Sequence, residues 1–238
     1  MAVGIYRAVL KDRIKRTPTV ESFRFLPEKK IDFLPGQFLR FFFDADDPDN
    51  KEVNKYLSFS SAPGKEYVEV TKRLSESEFS RRLKALKPQD EVSLQGPFGN
   101  CIFRQGYKKV AFLIGGIGIT PVISILEYIV EKRLDTLVHL FYSNRTEEEI
   151  AFRKELDAWQ GLLSSIKVIH TLTDCPSKSG DCRFGRIEKE LVFSNIPDIG
   201  ETVFYIFGPP KMTEAMRGLF KDTQVRQDMI KTESFIGY

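Results

Sequence analysis

The sequence predicts two differently built lobes: an antiparallel β-barrel or sandwich, then a mostly parallel sheet covered by helices on both faces. Two observations carry this expectation. Up to about residue 104, short Val-, Phe- and Tyr-rich runs are broken by Pro, Gly and Asp. After residue 107, apolar strand-like runs alternate with helix-patterned segments. The boundary is expected near Arg104 to Tyr107, giving domains 1–104 and 105–238.

The elements follow in order. "MAVGIYRAVLKDRIKRT" alternates apolar and polar residues, so it reads as a strand of the mature fold and lacks the apolar core of a signal peptide. "VESFRFLP", "GQFLRFFFDAD", "KYLSFSSAP" and "YVEVTKRL" are further strands. In "SEFSRRLKALKP", Phe79, Leu83 and Leu86 fall at i, i+4 and i+7, and Pro88 stops the helix. "KKVAFLIGG" is a buried parallel strand and "TPVISILEYIVEKR" a helix with Pro121 in its first turn. "TLVHLFYSN", "SIKVIHTLTD" and "TVFYIFGPP" are strands; "TEEEIAFRKELDAWQ" and "KMTEAMRGLFKD" are helices.

Composition narrows the function. Hydrophobic residues make up 42% and charged residues 29%, enough to bury a core in a water-facing protein. The net charge of +3, with bases and acids interleaved, argues against nucleic acid and leaves room for an acidic protein partner. No apolar run reaches the roughly 18–20 residues of a membrane span, so the expected location is cytoplasmic. Cys101, Cys175 and Cys182 match no metal-ligand spacing and read as reduced thiols; no metal is expected.

The glycines of "AFLIGGIGITPVIS" sit where a buried strand turns into a helix. Free N–H groups and the helix dipole there favour an anion, and missing side chains let a diphosphate approach. Gly115, Gly116 and Gly118 follow neither the G-x-G-x-x-G spacing nor that of a Walker loop, so a purely structural turn stands as the alternative.

Six stretches occurring in order, "NKYLSFSSAP", "SESEFSRRL", "GPFG", "GGIGITP", "FGPPKM" and "IKTESFIGY", resemble the ferredoxin–NADP reductase-like flavoproteins over essentially the whole chain. The resemblance implies a Greek-key barrel holding FAD and a doubly wound domain holding NADH or NADPH. It also implies the two-domain form without an iron–sulfur domain, consistent with three cysteines and an end at Tyr238.

By that resemblance, Lys55 stands for the arginine that neutralises the FAD diphosphate, though without its bidentate fork. Leu57 replaces the aromatic that lies against the flavin unless Tyr56 or Phe59 substitutes, and Ser58 is the catalytic hydroxyl facing flavin N5. Ser60 completes this stretch; Val68, Val70 and Lys72 lie on the strand that offers main-chain contacts. Ser77 and Ser80 open the diphosphate-binding helix, where ordinary capping is compatible with phosphate binding. Gly115, Gly116, Gly118, Thr120 and Pro121 cradle the nicotinamide dinucleotide. Gly208, Pro209, Pro210 and Met212 bring the nicotinamide to the flavin, with Phe207 in place of the usual cysteine. Tyr238, or Phe235, covers the flavin and counts with Ser58 as catalytic; the plainer alternative is a terminal strand.

Ser143 and Arg145, with Asp174, Lys178 and Arg183, surround the expected adenosine end, and Asp174 tips the choice toward NADH. His139 and His170 read as satisfied structural histidines and Trp159 as core. The implied activity is hydride transfer from NAD(P)H to FAD, with electrons passed to a separate ferredoxin, flavodoxin-like or oxygenase protein. The alternative is a non-catalytic subunit with a degenerate nicotinamide site, motivated by Lys55, Leu57 and Phe207.

Overall fold

The computed structural model describes residues 2–178 and 180–235. By contacts, the chain divides into two units. One holds the residues up to Phe103 together with Thr120–Tyr128; the other holds Arg104–Ile119 and the residues from Ile129 on.

The first unit is a nearly closed antiparallel barrel of six strands: β1 (Gly4–Lys15), β2 (Val20–Pro27), β3 (Phe38–Phe42), β4 (Asn54–Ser58), β5 (Val68–Arg73) and β6 (Glu91–Phe98). Their order is β4-β3-β6-β1-β2-β5, and an isolated bridge between Phe59 and Val70 joins the two ends. Alternation decides which side chains enter. Phe23, Phe25, Phe41, Leu39, Val68 and Val70 are buried, and Phe33 stacks on Phe59 at 3.8 Å. Glu69 is buried too, held by Arg16 at 3.0 Å and Arg24 at 2.8 Å, so its charge is paired. Helix α1 (Glu78–Ala85) drives Phe79 and Leu83 into this core.

The second unit is a six-stranded parallel sheet. Its strands are β7 (Lys109–Gly115), β8 (Leu137–Asn144), β9 (Ile166–Leu172), β10 (Cys182–Phe184), β11 (Val203–Gly208) and β12 (Ile230–Ser234). The helices that follow in sequence are α2 (Thr120–Glu131), α3 (Arg153–Leu162), α4 (Lys189–Asn195) and α5 (Pro210–Gly218). The order β10-β9-β8-β7-β11-β12 reverses direction at β7, which makes the sheet doubly wound with its switch point between β7 and β11.

Three expectations are corrected. The segment read as one helix from Thr146 begins only at Arg153: Phe152 adopts a left-handed backbone (φ 61°), and Glu147–Glu149 form a separate 3-10 turn. Trp159 is half-buried rather than core; Leu156 is the buried residue of α3. His170 is buried but not satisfied, because neither ring nitrogen has a hydrogen-bond partner. The three cysteines are free thiols.

Candidate functional site

On the barrel, the candidate residues cluster around β4, β5 and the start of α1. Lys55 and Lys72 are both half-buried, and among the described residues neither is ion-paired with a carboxylate. Burial, and then the charge of Lys55, push the Lys72 ammonium below the usual lysine range. Two uncompensated cations held together call for an anion, as a diphosphate would supply. Ser77 caps α1, its Oγ accepting the Ser80 N–H at 3.3 Å, while the Ser77 hydroxyl donates to Ser80 Oγ at 3.1 Å. Ser80 is fully buried and also lies 3.3 Å from Ser75 Oγ, so it shapes the turn from beneath.

Neighbouring residues on a strand face opposite ways. Leu57 packs against the barrel core, opposite Leu39, whereas Tyr56 is 60% exposed and meets the edges of Phe38 and Phe98. Tyr56 therefore cannot replace the aromatic expected at Leu57. Nor can Phe59, whose ring is locked in the core against Phe33. Ser58 is buried, as are Val68 and Val70, whose side chains are inside and which offer only backbone. Ser60 bonds Thr71 (2.7 Å) and Glu69 (3.3 Å), anchoring the strand beyond Ser58.

In the second unit the glycine turn runs close to other parts of the chain. A Cβ on Gly115 would lie 2.1 Å from Met212 Sδ, and a Cβ on Gly118 would lie 2.5 Å from the Phe207 carbonyl oxygen. The space a side chain would need at these two glycines is occupied by the end of β11 and by α5. Gly116 serves a third purpose, a left-handed backbone (φ 51°) that starts the 3-10 turn Gly116–Ile119. Met212 lies against Gly115. Phe207 is fully buried, its ring tilted against Tyr205 and edge-on to Phe235, while Pro209 and Pro210 stand exposed beyond Gly208 at the switch point. Thr120 and Pro121 open α2 and are buried. Tyr238 lies outside the described residues.

Ser143, at the end of β8, is paired in register with Gly115 on one side and Thr171 on the other. Arg145 and Asp174 are brought together at 2.7 Å, each favouring the other's charged form. Lys178 is engaged instead by Glu148 at 3.4 Å, and Arg183 is exposed on β10. Sequence reasoning passed over Asn144 and Thr171. Both side-chain polar atoms of Asn144 and the Thr171 hydroxyl are buried without partners at the C-terminal ends of β8 and β9. Such ends are where open α/β sheets take ligands. Glu233, also passed over, is half-buried opposite Phe207, and burial raises its carboxyl above the usual range.

A barrel with a spare pair of cations and a doubly wound sheet with orphaned polar atoms at the ends of β8 and β9 fit the class of proteins that handle phosphorylated cofactors in two units. Residues 7–103 match the oxidoreductase FAD-binding domain and residues 112–218 the oxidoreductase NAD-binding domain. The chain belongs to the ferredoxin–NADP reductase-like family of two-domain flavoproteins. It is 29% identical to NADH-cytochrome b5 reductase 2 of Debaryomyces hansenii over 79% of this chain and 64% of that protein. It is also 29% identical to the 2-halobenzoate 1,2-dioxygenase electron transfer component of Burkholderia cepacia, over 80% of this chain and 55% of that one. The first curated relatives are thus spanned over about half to two thirds of their length. In fold, it is similar to the cytochrome b5 reductase domain of Ulva prolifera nitrate reductase (TM-score 0.84, 21% identity, 97% of each chain). A ferredoxin NADP+ reductase from Neisseria gonorrhoeae with bound FAD and NADP is similar too (TM-score 0.81, 21% identity, 97% of this chain and 98% of that one).

Proposed function

We propose that this chain is an FAD-dependent oxidoreductase that takes a hydride from NADH, in preference to NADPH, and passes electrons to a separate redox protein. The observation that supports it best is the coexistence of an FAD-binding and an NAD-binding domain, each with polar groups left unmatched by the protein. Bound FAD supplies the chemistry that side chains lack, accepting two electrons together and releasing them singly. Lys55 and Lys72 would hold its diphosphate with the amides opening α1, and Ser58 would offer its hydroxyl to the ring. The partly buried Leu57 would offer that ring aliphatic surface in place of an aromatic one.

At the other site Asn144, Thr171 and Ser143 position the nucleotide, with the Gly208–Pro210 turn directing its redox end. Arg145 is the cation that would bind an extra 2′-phosphate, but Asp174 already neutralises it, and a carboxylate there repels a phosphate. This supports NADH. The acceptor is a small redox protein: a ferredoxin, a flavodoxin-like protein, a b5-type cytochrome or an oxygenase component, following the names of the relatives. Among the described residues no helix is long and apolar enough to cross a membrane. We place the protein in the cytoplasm.

Anaerobic titration tests the reading. The purified protein, reconstituted with FAD, is expected to show oxidised-flavin absorbance that NADH bleaches at lower concentration than NADPH. A protein that stays colourless with added FAD refutes it. That outcome favours a non-catalytic subunit, a reading supported by Phe207 and by the protein-filled space at Gly115 and Gly118.

A further inference from the structure

Cys182 opens β10 beside a group of side chains that the proposed reaction does not use. It is half-buried, and its register partner on the parallel neighbour β9 is His170. Register partners in a parallel pair rise from the same sheet face about 5 Å apart. His170 is 4% exposed, and neither Nδ1 nor Nε2 has a partner. Arg153, on α3, donates from Nη1 to Cys182 Sγ at 3.4 Å. The same guanidinium holds Asp157 at 2.9 Å and Asp181 at 3.5 Å. Tyr142 completes the surroundings, its ring 5.8 Å from the imidazole, and the charges of Asp157, Glu147 and Asp181 also reach His170. Among the described residues no cation stands at the sulfur of Cys175.

We propose that Cys182 is a redox-modification site, oxidised to a sulfenic acid by hydrogen peroxide, and that this modification weakens nucleotide binding. The thiolate is the form of a cysteine that reacts, and the Arg153 guanidinium donates a hydrogen bond to this sulfur. The thiolate sulfur attacks one oxygen of the peroxide, an S–O bond forms and the O–O bond breaks. Sulfur loses two electrons, the peroxide is reduced, and the departing hydroxide takes up the proton released by the thiol to become water. The product carries an S–O–H group beside an imidazole with both nitrogens free, so oxidation supplies the hydrogen-bond partner that the reduced state lacks.

The effect on binding rests on the proposed function. Cys182 closes the segment after β9, in which Asp174 pairs with Arg145 and the Ser177 hydroxyl and Lys178 N–H donate to Glu147 at 3.3 and 3.1 Å. Among the described residues three register pairs tie β10 to β9. Adding an oxygen at Cys182 redirects Arg153 and shifts the end of that segment.

The full chain, as isolated and treated with one equivalent of hydrogen peroxide, is trapped with dimedone and mapped by mass spectrometry. Cys182 is expected to carry about tenfold more adduct than Cys175. Arg153→Met is expected to slow iodoacetamide alkylation of Cys182 by about tenfold, and Arg153→Lys, which keeps the charge, to restore most of the rate. Equal labelling of Cys182 and Cys175, or an unchanged rate in Arg153→Met, overturns the site. Peroxide is expected to raise the KM for NADH in wild type and leave Cys182→Ser unaffected; equal responses overturn the control of binding. A chain with no NADH activity refutes the proposed function, while the labelling still decides the thiol.

Discussion

Replacing Gly118 by alanine separates the two explanations of the glycine turn. The new Cβ would lie 2.5 Å from the Phe207 carbonyl oxygen, 2.7 Å from its carbon and 3.0 Å from the Gly208 nitrogen. The first is about 0.9 Å inside ordinary contact, and all three atoms are backbone, so no rotamer change relieves them. Overpacking of this kind costs about 1–3 kcal/mol, and a backbone clash belongs at the upper end. For a chain of this size that lowers Tm by roughly 6–12 °C. Gly115→Ala meets Met212 Sδ at 2.1 Å, but that is a side chain, so Gly115→Ala/Met212→Ala is expected to recover most of the loss from Gly115→Ala alone. Thermal unfolding of the three variants measures this. A Gly118→Ala protein that unfolds within a degree of wild type and loses only NADH affinity would refute the packing argument and restore the view of the turn as an open phosphate cradle.

Lys72→Met is expected to weaken FAD binding about 10–100-fold, the worth of one charge-assisted hydrogen bond, as measured by fluorescence titration of the FAD-free protein. Because burial lowers the Lys72 ammonium and a bound anion would raise it again, wild-type affinity for FAD should fall as pH rises through the Lys72 titration, a trend that Lys72→Met should lose. Asp174→Ala releases Arg145 and should lower the KM for NADPH about tenfold while leaving that for NADH nearly unchanged. Burial pushes His170 down to about 4 from its ordinary 6.5. The unfolded chain therefore binds the extra proton first as pH falls. Stability should be complete above about 6.5 and drop by about 3 kcal/mol on the way to pH 4. His170→Leu should flatten that part of a urea-unfolding pH profile.

Strand rhythm and helix period made the two-unit architecture legible, because alternation of Phe and Val with polar residues dictates which side of a barrel each side chain takes. Lys55 and Ser77 were legible for the same reason: both sit at positions whose local chemistry, a cation on a strand and a cap on a helix, does not depend on distant residues. The close approach at Gly115 and Gly118 was hidden, since what lies against them comes from Phe207 and Met212, some ninety residues further along. Asn144 and Thr171 left no signal, because an orphaned hydrogen-bonding group is defined by what the rest of the sheet fails to offer it. Phe152 escaped for a local reason: its left-handed backbone breaks a segment whose composition otherwise suits a helix.

The barrel is closed by a single rung, Phe59 to Val70, reinforced by the Ser60 N–H on the Glu69 carbonyl at 2.8 Å and the Glu69 N–H on Ser61 Oγ at 3.1 Å. Every other seam between its strands is laced by a full ladder. The stave that bears Lys55 to Ser60 is therefore the one most easily prised from its neighbour, and amide exchange should be fastest there before the cofactor is loaded. Loading would then act as the clasp, and added FAD is expected to slow exchange along that stave.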